Sequence, residues 1–314
     1  MSTPRKITVL GSGIMGPGIA AVFARSGADV TVYDIVQDAL DRAAEGTKMA
    51  AGVLDALDAP RGDKQGELSF TTDIAEALSG TEYVLEAVPE REDLKKQVLA
   101  QVEGIVGPEV VIASNTSGIP ITKLAEDMAH PERFVGMHWS NPPHVIPLIE
   151  VVPGEKTNDG TRDAVIALAK SFGYEAVVEG ETPGFVENRI LYAIMRESLA
   201  LVDEGIISKE DMDICVRWGI GFKLAVVGPM RLLDMAGLDT YNNVASYLNP
   251  DLSKADGVPQ VITDNIEAGT FGFKSGKGLF EYGEGDVAAK RQQIVSQLIQ
   301  VRRAMPKPLS ADQV

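Results

Sequence analysis

The chain has 314 residues, 45% hydrophobic and 24% charged, with a formal net charge of −16, the profile of a soluble globular protein of about two domains. An excess of 45 acids over 29 Lys and Arg disfavours nucleic acid and anionic membranes as partners, and polyanionic substrates too unless a local basic patch exists. One cysteine, Cys215, excludes an intrachain disulfide framework and fits a reducing cytoplasm, and no apolar run is long enough for a signal segment or a membrane span, so a cytoplasmic location is expected.

Residues 6–34, KITVLGSGIMGPGIAAVFARSGADVTVYD, are the most informative stretch. The apolar run Ile7 to Leu10 predicts a buried strand, and Gly11, Gly13 and Gly16 follow in the order G-x-G-x-x-G. Ile14 to Arg25 reads as a helix, and Val30 to Tyr33 as a second strand ending at Asp34. The residue types suit a dinucleotide. Gly11 permits the tight turn, Gly13 lets a pyrophosphate approach the backbone, and Gly16 lets the helix pack on the sheet. Free N–H groups and the dipole at the helix start, where Ile14 and Met15 are also expected as cofactor contacts, then hold the phosphates. Asp34 can accept both hydroxyls of an adenosine ribose and would repel a 2′-phosphate, which favours NAD over NADP. The competing reading is a tight strand–helix turn with no ligand.

Further along, residues 36–58 predict a long helix and 59–67 a polar loop. Strands are expected at 68–71, 83–88, 110–113, 134–138, 148–152 and 175–179. Helices are expected after Asp73 as N-cap, at 92–105 and at 158–172. This alternation predicts a doubly wound, mostly parallel sheet of Rossmann type, covered on both faces. Thr182-Pro183-Gly184 ends the pattern. Helical spacing dominates afterwards, with Ser208 and Asp211 set as a capping box. We therefore expect a dinucleotide-binding domain over 1–182 and a smaller all-helical domain over 183–314.

Candidate reactive residues cluster at the expected carboxyl ends of strands, where open α/β sheets bind ligands. His138 ends one strand, and Glu150, read as beginning the next, could reach back to its imidazole. A carboxylate on one ring nitrogen fixes the tautomer and raises the basicity of the other, although a structural His–Glu pair reads the same way. Asn115 and Ser117 follow strand 110–113, either as contacts to a nicotinamide ribose and a substrate oxygen or as helix caps. Asn188 reads as a contact or a cap. Asn141 precedes the rigid pair Pro142-Pro143, His144 is ambiguous, and His130 lies in a loop.

The motifs GSGIMG, EAVPE, SNTSGIPIT, MHWSNPPHVIPLIEVV, TPGFVENRI and FGFKSGKGLFEY together resemble the 3-hydroxyacyl-CoA dehydrogenases over nearly the whole chain. The resemblance implies a helical second domain that forms a homodimer. It also implies His138 as base with Glu150 orienting it, Ser117 and Asn188 as substrate hydrogen-bonders, and Asn141 beside the site. Asp34, Glu90, Lys95 and Asn115 are implied as NAD contacts. Two departures stand out: HWSNPPH follows the catalytic strand, and GFKLAVVGPM (221–230) is longer than its counterpart. Both resemble a side branch acting on small free acids, and Lys223 in the longer segment is a candidate anchor for a substrate carboxylate. The expected activity is NAD-dependent oxidation of a small carboxylate-bearing alcohol or aldehyde hydrate, with no metal. A short-chain 3-hydroxyacyl-CoA dehydrogenase is the alternative. A non-catalytic NADH-binding protein is the third reading.

Overall fold

In the computed structural model, which describes residues 4–283 and 285–305, the chain divides between Arg189 and Ile190 into two compact units. The first contains β1 (Lys6–Leu10), β2 (Asp29–Tyr33), β3 (Leu68–Thr71), β4 (Tyr83–Glu86), β5 (Val111–Ser114), β6 (Phe134–Trp139), β7 (Leu148–Pro153) and β8 (Glu175–Val178). They form one sheet in the order β3-β2-β1-β4-β5-β6-β7-β8. All neighbours run parallel except β6 and β7, which are antiparallel. The expected doubly wound, mostly parallel sheet is therefore present. The helices are α1 (Gly16–Arg25), α2 (Gln37–Ala56), α3 (Ile74–Leu78), α4 (Glu92–Glu103), α5 (Ile121–Leu124), α6 (Asp159–Ser171) and α7, Phe185–Asp203, which continues into the second unit.

The central strands are continuous apolar runs because helices cover both of their faces. On one face Ile19, Val22 and Phe23 of α1 and Val165 and Leu168 of α6 pack on Val9, Val32 and Trp139. Phe23 meets Trp139 and Phe172 edge-on with ring centroids 5.4 and 5.8 Å away. Such pairs add about 0.5–1.5 kcal/mol each beyond their buried area. On the other face Leu99 and Val102 of α4, Leu124 of α5 and Phe185 of α7 pack on Val84, Ile112 and Phe134. Caps set the starts of two of these helices. Asp73 accepts from the amides of Ala75 and Glu76, and Asn158 from that of Thr161.

Boundaries shift in two places that bear on the site. Helix α1 begins at Gly16 rather than Ile14, so Ile14 is an exposed loop residue and Met15 is the N-cap. Strand β4 ends at Glu86, and residues 87–91 form a loop rather than more strand.

The second unit continues α7 and adds α8 (Lys209–Ile214), a π-helical stretch over Cys215–Gly221, α9 (Phe222–Leu224), α10 (Pro229–Ala236), α11 (Leu238–Leu248), α12 (Gln260–Glu267) and α13 (Asp286–Ala304). Ser208 caps α8 through the Asp211 amide, as expected. Isolated bridges join Gly272 to Lys277 and Lys277 to Glu281, and no strand occurs in this unit among the described residues. Residues 306–314 of the expected second domain lie outside the described residues. No described helix is long and apolar enough to cross a membrane.

Candidate active site

The loop between β1 and α1 is built to be close. Gly11 has φ +106°, and a Cβ there would stand 2.5 Å from the Ala87 carbonyl oxygen. A Cβ on Gly16 would stand 2.2 Å from the Gly11 carbonyl oxygen. Neither position can take a side chain. Gly13 differs, because a Cβ there meets nothing within 4 Å. No packing within the protein demands glycine at that position. The open space over it is the cradle a pyrophosphate requires, and no side chain caps the start of α1. Asp34 Oδ2 accepts from the amide and hydroxyl of Ser12 at 2.9 and 2.6 Å, and its Oδ1 from the Val36 amide at 3.1 Å. These bonds fix the carboxylate beside the glycine loop, where it can meet a ribose. The residues present thus fit NAD.

The next edge residues are held by a buried ionic network. Glu86 and Lys95 are 0% and 1% exposed, and Lys95 Nζ lies 2.7 Å from Glu86 Oε1. Lys95 also donates to the Val88 carbonyl at 3.2 Å and stands 3.3 Å from Glu90 Oε2. Glu86 accepts from Ser114 Oγ at 2.5 Å and from the Val88 amide at 2.7 Å. Burial pushes the Glu86 carboxyl up, opposed by the Lys95 charge and by these hydrogen bonds. Glu90 Oε1 in turn accepts from Thr116 Oγ1 at 2.6 Å and the Ser117 amide at 2.8 Å. Lys95 and Glu90 therefore clamp the loops after β4 and β5 to each other. Glu86 was not among the sequence candidates. Its signal was an acid inside an otherwise apolar strand, which must have a partner.

Asn115 is nearly buried, and its Oδ1 accepts from the Trp139 amide at 2.8 Å. That bond ties the end of β5 to the end of β6. The Ser117 carbonyl accepts from Asn188 Nδ2 at 3.4 Å, which brings Asn188 of α7 to the loop after β5. Asn141 is exposed in the turn after β6. His130 is exposed beside Glu132. Lys223 is exposed on α9 in the second unit and meets no carboxylate among the described residues.

His138 and Glu150 sit directly opposite in the antiparallel β6–β7 pair, with Nδ1 2.7 Å from Glu150 Oε2. Glu150 is the third residue of β7 rather than its first, and the antiparallel register brings it level with His138. Both side chains are buried. Glu150 Oε1 accepts from the Glu187 amide at 2.6 Å. Burial pushes the Glu150 carboxyl up, but His138, the Glu187 amide and a bond from Glu179 outweigh it and hold Glu150 below its ordinary range. An ionised Glu150 can only accept, so Nδ1 donates and Nε2 is left as the acceptor. Glu187 joins the group from α7. It accepts from Ser140 Oγ at 2.6 Å, and one of its oxygens lies within 4.8 Å of ligating atoms of His138 and Glu150. No periodic signal in the sequence marked Glu179 or Glu187, because each reaches the pair from a different element.

Comparison with known proteins agrees with this geometry. The family described as 3-hydroxyacyl-CoA dehydrogenase, NAD binding domain, matches residues 6–182, and that described as 3-hydroxyacyl-CoA dehydrogenase, C-terminal domain, matches residues 184–282. The 5-formyl-3-hydroxy-2-methylpyridine 4-carboxylate 5-dehydrogenase of Mesorhizobium japonicum is 48% identical over 96% of this chain and 98% of its own. The 3-hydroxybutyryl-CoA dehydrogenase of Mycobacterium tuberculosis is 33% identical over 88% of this chain and 98% of its own. A solved structure of a 5-formyl-3-hydroxy-2-methylpyridine 4-carboxylic acid 5-dehydrogenase, described as an NAD⁺-dependent dismutase, superposes with a TM-score of 0.93 at 48% identity over 96% of this chain and 98% of that one. The chain is an NAD-dependent oxidoreductase and belongs to the 3-hydroxyacyl-CoA dehydrogenase family.

Proposed function

We propose that the protein oxidises the hydroxyl, or the hydrated aldehyde, of a small carboxylate-bearing substrate, with His138 as general base and Glu150 as its orienting acid. The observation that carries this reading is the 2.7 Å His138–Glu150 bond at the carboxyl edge of β6, in a chain 48% identical to a pyridine-carboxylate aldehyde dehydrogenase. Bound NAD supplies the hydride acceptor. His138 Nε2 takes the hydroxyl proton while Glu150 stabilises the imidazolium that forms. An aldehyde hydrate presents the same H–C–O–H unit as an alcohol, so the same base serves both. Ser117, Asn141 and Asn188 are assigned to the substrate. Gly11, Gly13, Ile14, Met15, Gly16, Asp34 and Asn115 are assigned to the cofactor, with Lys95 and Glu90 shaping the loops around it. The functional boundary is placed at Pro183.

A free acid is favoured over a CoA thioester by the local charges. A CoA thioester would need cations for its phosphates, and of the candidates Arg42, Lys48, Arg61 and Lys64 three already face carboxylates: Lys48 meets Glu45 at 2.8 Å, Arg61 meets Asp55, and Lys64 approaches Asp29 at 3.7 Å. Lys223 has no such partner among the described residues and is assigned to the substrate carboxylate. A hydrogen bond to a charged group contributes about 1.5–3 kcal/mol. Lys223→Ala should therefore raise KM for the acid by about 10–100-fold and leave the Kd for NADH unchanged. The test is a turnover screen with NAD across pyridine-carboxylate aldehydes, small hydroxy acids and 3-hydroxybutyryl-CoA. Faster turnover of the thioester, or a wild-type KM in the variant, would replace this reading with the CoA one.

A homodimer built by the second unit belongs to the same proposal. Its helices leave Ile190, Tyr192, Met195, Met230, Met235 and Leu238 exposed in the isolated chain, large apolar side chains that a second copy would cover. Sedimentation at micromolar concentration should give twice the 33.5 kDa chain mass; a single species at chain mass would refute it.

A further inference from the structure

Glu179 follows β8, and its amide donates to the Val151 carbonyl at 3.2 Å. This places its side chain next to Glu150 on β7. The first turn of α7 then holds both carboxyls with consecutive amides. Val186 N–H donates to Glu179 Oε1 at 3.0 Å, and Glu187 N–H to Glu150 Oε1 at 2.6 Å. Consecutive amides of one helix turn thus bring the two carboxyls together as neighbours. Glu150 Oε2 is meanwhile committed to His138. Two neighbouring carboxyls repel as anions, so ionising both is disfavoured. Helix N-terminal N–H groups favour the charged form of whichever acid gives the proton up.

We propose that Glu179 is a positioning residue for the His138 base: it holds the proton shared with Glu150 and so sets how much negative charge Glu150 presents to the imidazole. When Glu179 is protonated it donates to Glu150 and draws charge away from the His138 bond. When it ionises, a second negative charge stands behind Glu150 and strengthens support for the imidazolium. The proton passes only between Glu179 and solvent, so no other reactant is needed.

The direction of the ionisations agrees with this geometry. Burial, then the Glu150 charge, pushes Glu179 up to about 7, while Glu150 is held low. Glu179 therefore changes charge near neutral pH. The other charged groups around the pair are His138 from β6 and Glu187 from α7. Arg189, also on α7, donates to Thr182 Oγ1 at 3.3 Å.

This inference rests on His138 being the base, and its test separates the two. The imidazole resonances of the three histidines are followed by NMR against pH and assigned with a His138→Gln variant. In the wild type the His138 signal should shift in two steps, one of them near neutral pH. In Glu179→Gln, which keeps the shape and the donor but cannot ionise, the step near neutral pH should vanish. The acid limb of kcat/KM should also move to lower pH by about half a unit or more, the size expected for one nearby charge. NADH affinity checks that the variant is folded. A single-step His138 titration in the wild type overturns the proposal without any variant. Two steps persisting in Glu179→Gln, or a loss of rate equal at every pH, also overturn it. If the NMR steps behave as stated while no substrate is turned over, the coupling stands and the proposed function fails.

Discussion

His138→Ala should lower kcat by about 10²–10⁴-fold, the usual cost of removing a general base, and leave the Kd for NADH within about two-fold. The separation follows from where the groups sit. His138 lies at the carboxyl edge of β6, while the glycine loop and Asp34 belong to the β1–α1–β2 unit. No hydrogen bond joins Asp34 to His138 among the described residues, and Asp34 is fixed by Ser12 and Val36 instead. Glu150→Gln should cost less than His138→Ala. The imidazole remains and Gln can still accept from Nδ1, but the charge that stabilises the imidazolium is gone. Stopped-flow hydride transfer and fluorescence titration of NADH measure the two quantities separately. A His138→Ala enzyme within a few-fold of wild type would remove the residue from the chemistry.

The second large effect is on stability. Lys95→Met should destabilise the first unit by about 3–5 kcal/mol, because it strands the Glu86 carboxylate in a site 0% exposed to water. Burial already raises Glu86, and removing Lys95 takes away the charge that opposes the rise. A carboxyl raised in the folded state binds its proton more tightly folded than unfolded. The deficit of the variant should therefore grow with rising pH and narrow as the solution is acidified and Glu86 becomes neutral. Urea unfolding followed through buried Trp139, at about pH 8 and about pH 5.5, reads this directly. Exposed Trp218 reports on the second unit. Adding Glu86→Gln to Lys95→Met should recover most of the loss, since Gln leaves no buried charge and can still meet Ser114 and the Val88 amide. A single variant as stable as wild type at both pH values would show that the pair is replaceable. The same substitution should loosen Glu90, and with it the loop that carries Ser117, so a fall in kcat is expected alongside the fall in stability.

Local physics made much of the protein legible in the sequence. Apolar runs bounded by turn residues located each strand of the first unit to within two residues at either end, as at Leu68–Thr71. G-x-G-x-x-G between a strand and a helix, with Asp34 after the next strand, made the turn after β1 legible because Gly11 and Gly16 answer short-range steric demands while Gly13 leaves open space. His138 at the end of a buried strand was visible because parallel sheets present ligand sites at that edge. Alternation of strand and helix implied parallel neighbours, and it could not foretell that β7 runs against β6. That reversal decides the site, since it sets Glu150 level with His138. The Glu86–Lys95 pair was hidden for a similar reason. The sequence showed an acid in a strand and a lysine nine positions on (95 − 86), and only the return of α4 over the sheet turns them toward each other. Glu179 and Glu187 lie farther from any local rule, one after β8 and one in the first turn of α7. Periodicity reports what a segment buries, but the carboxyl pair behind His138 depends on three strands and a helix start meeting at one point, and only tertiary structure brings them there.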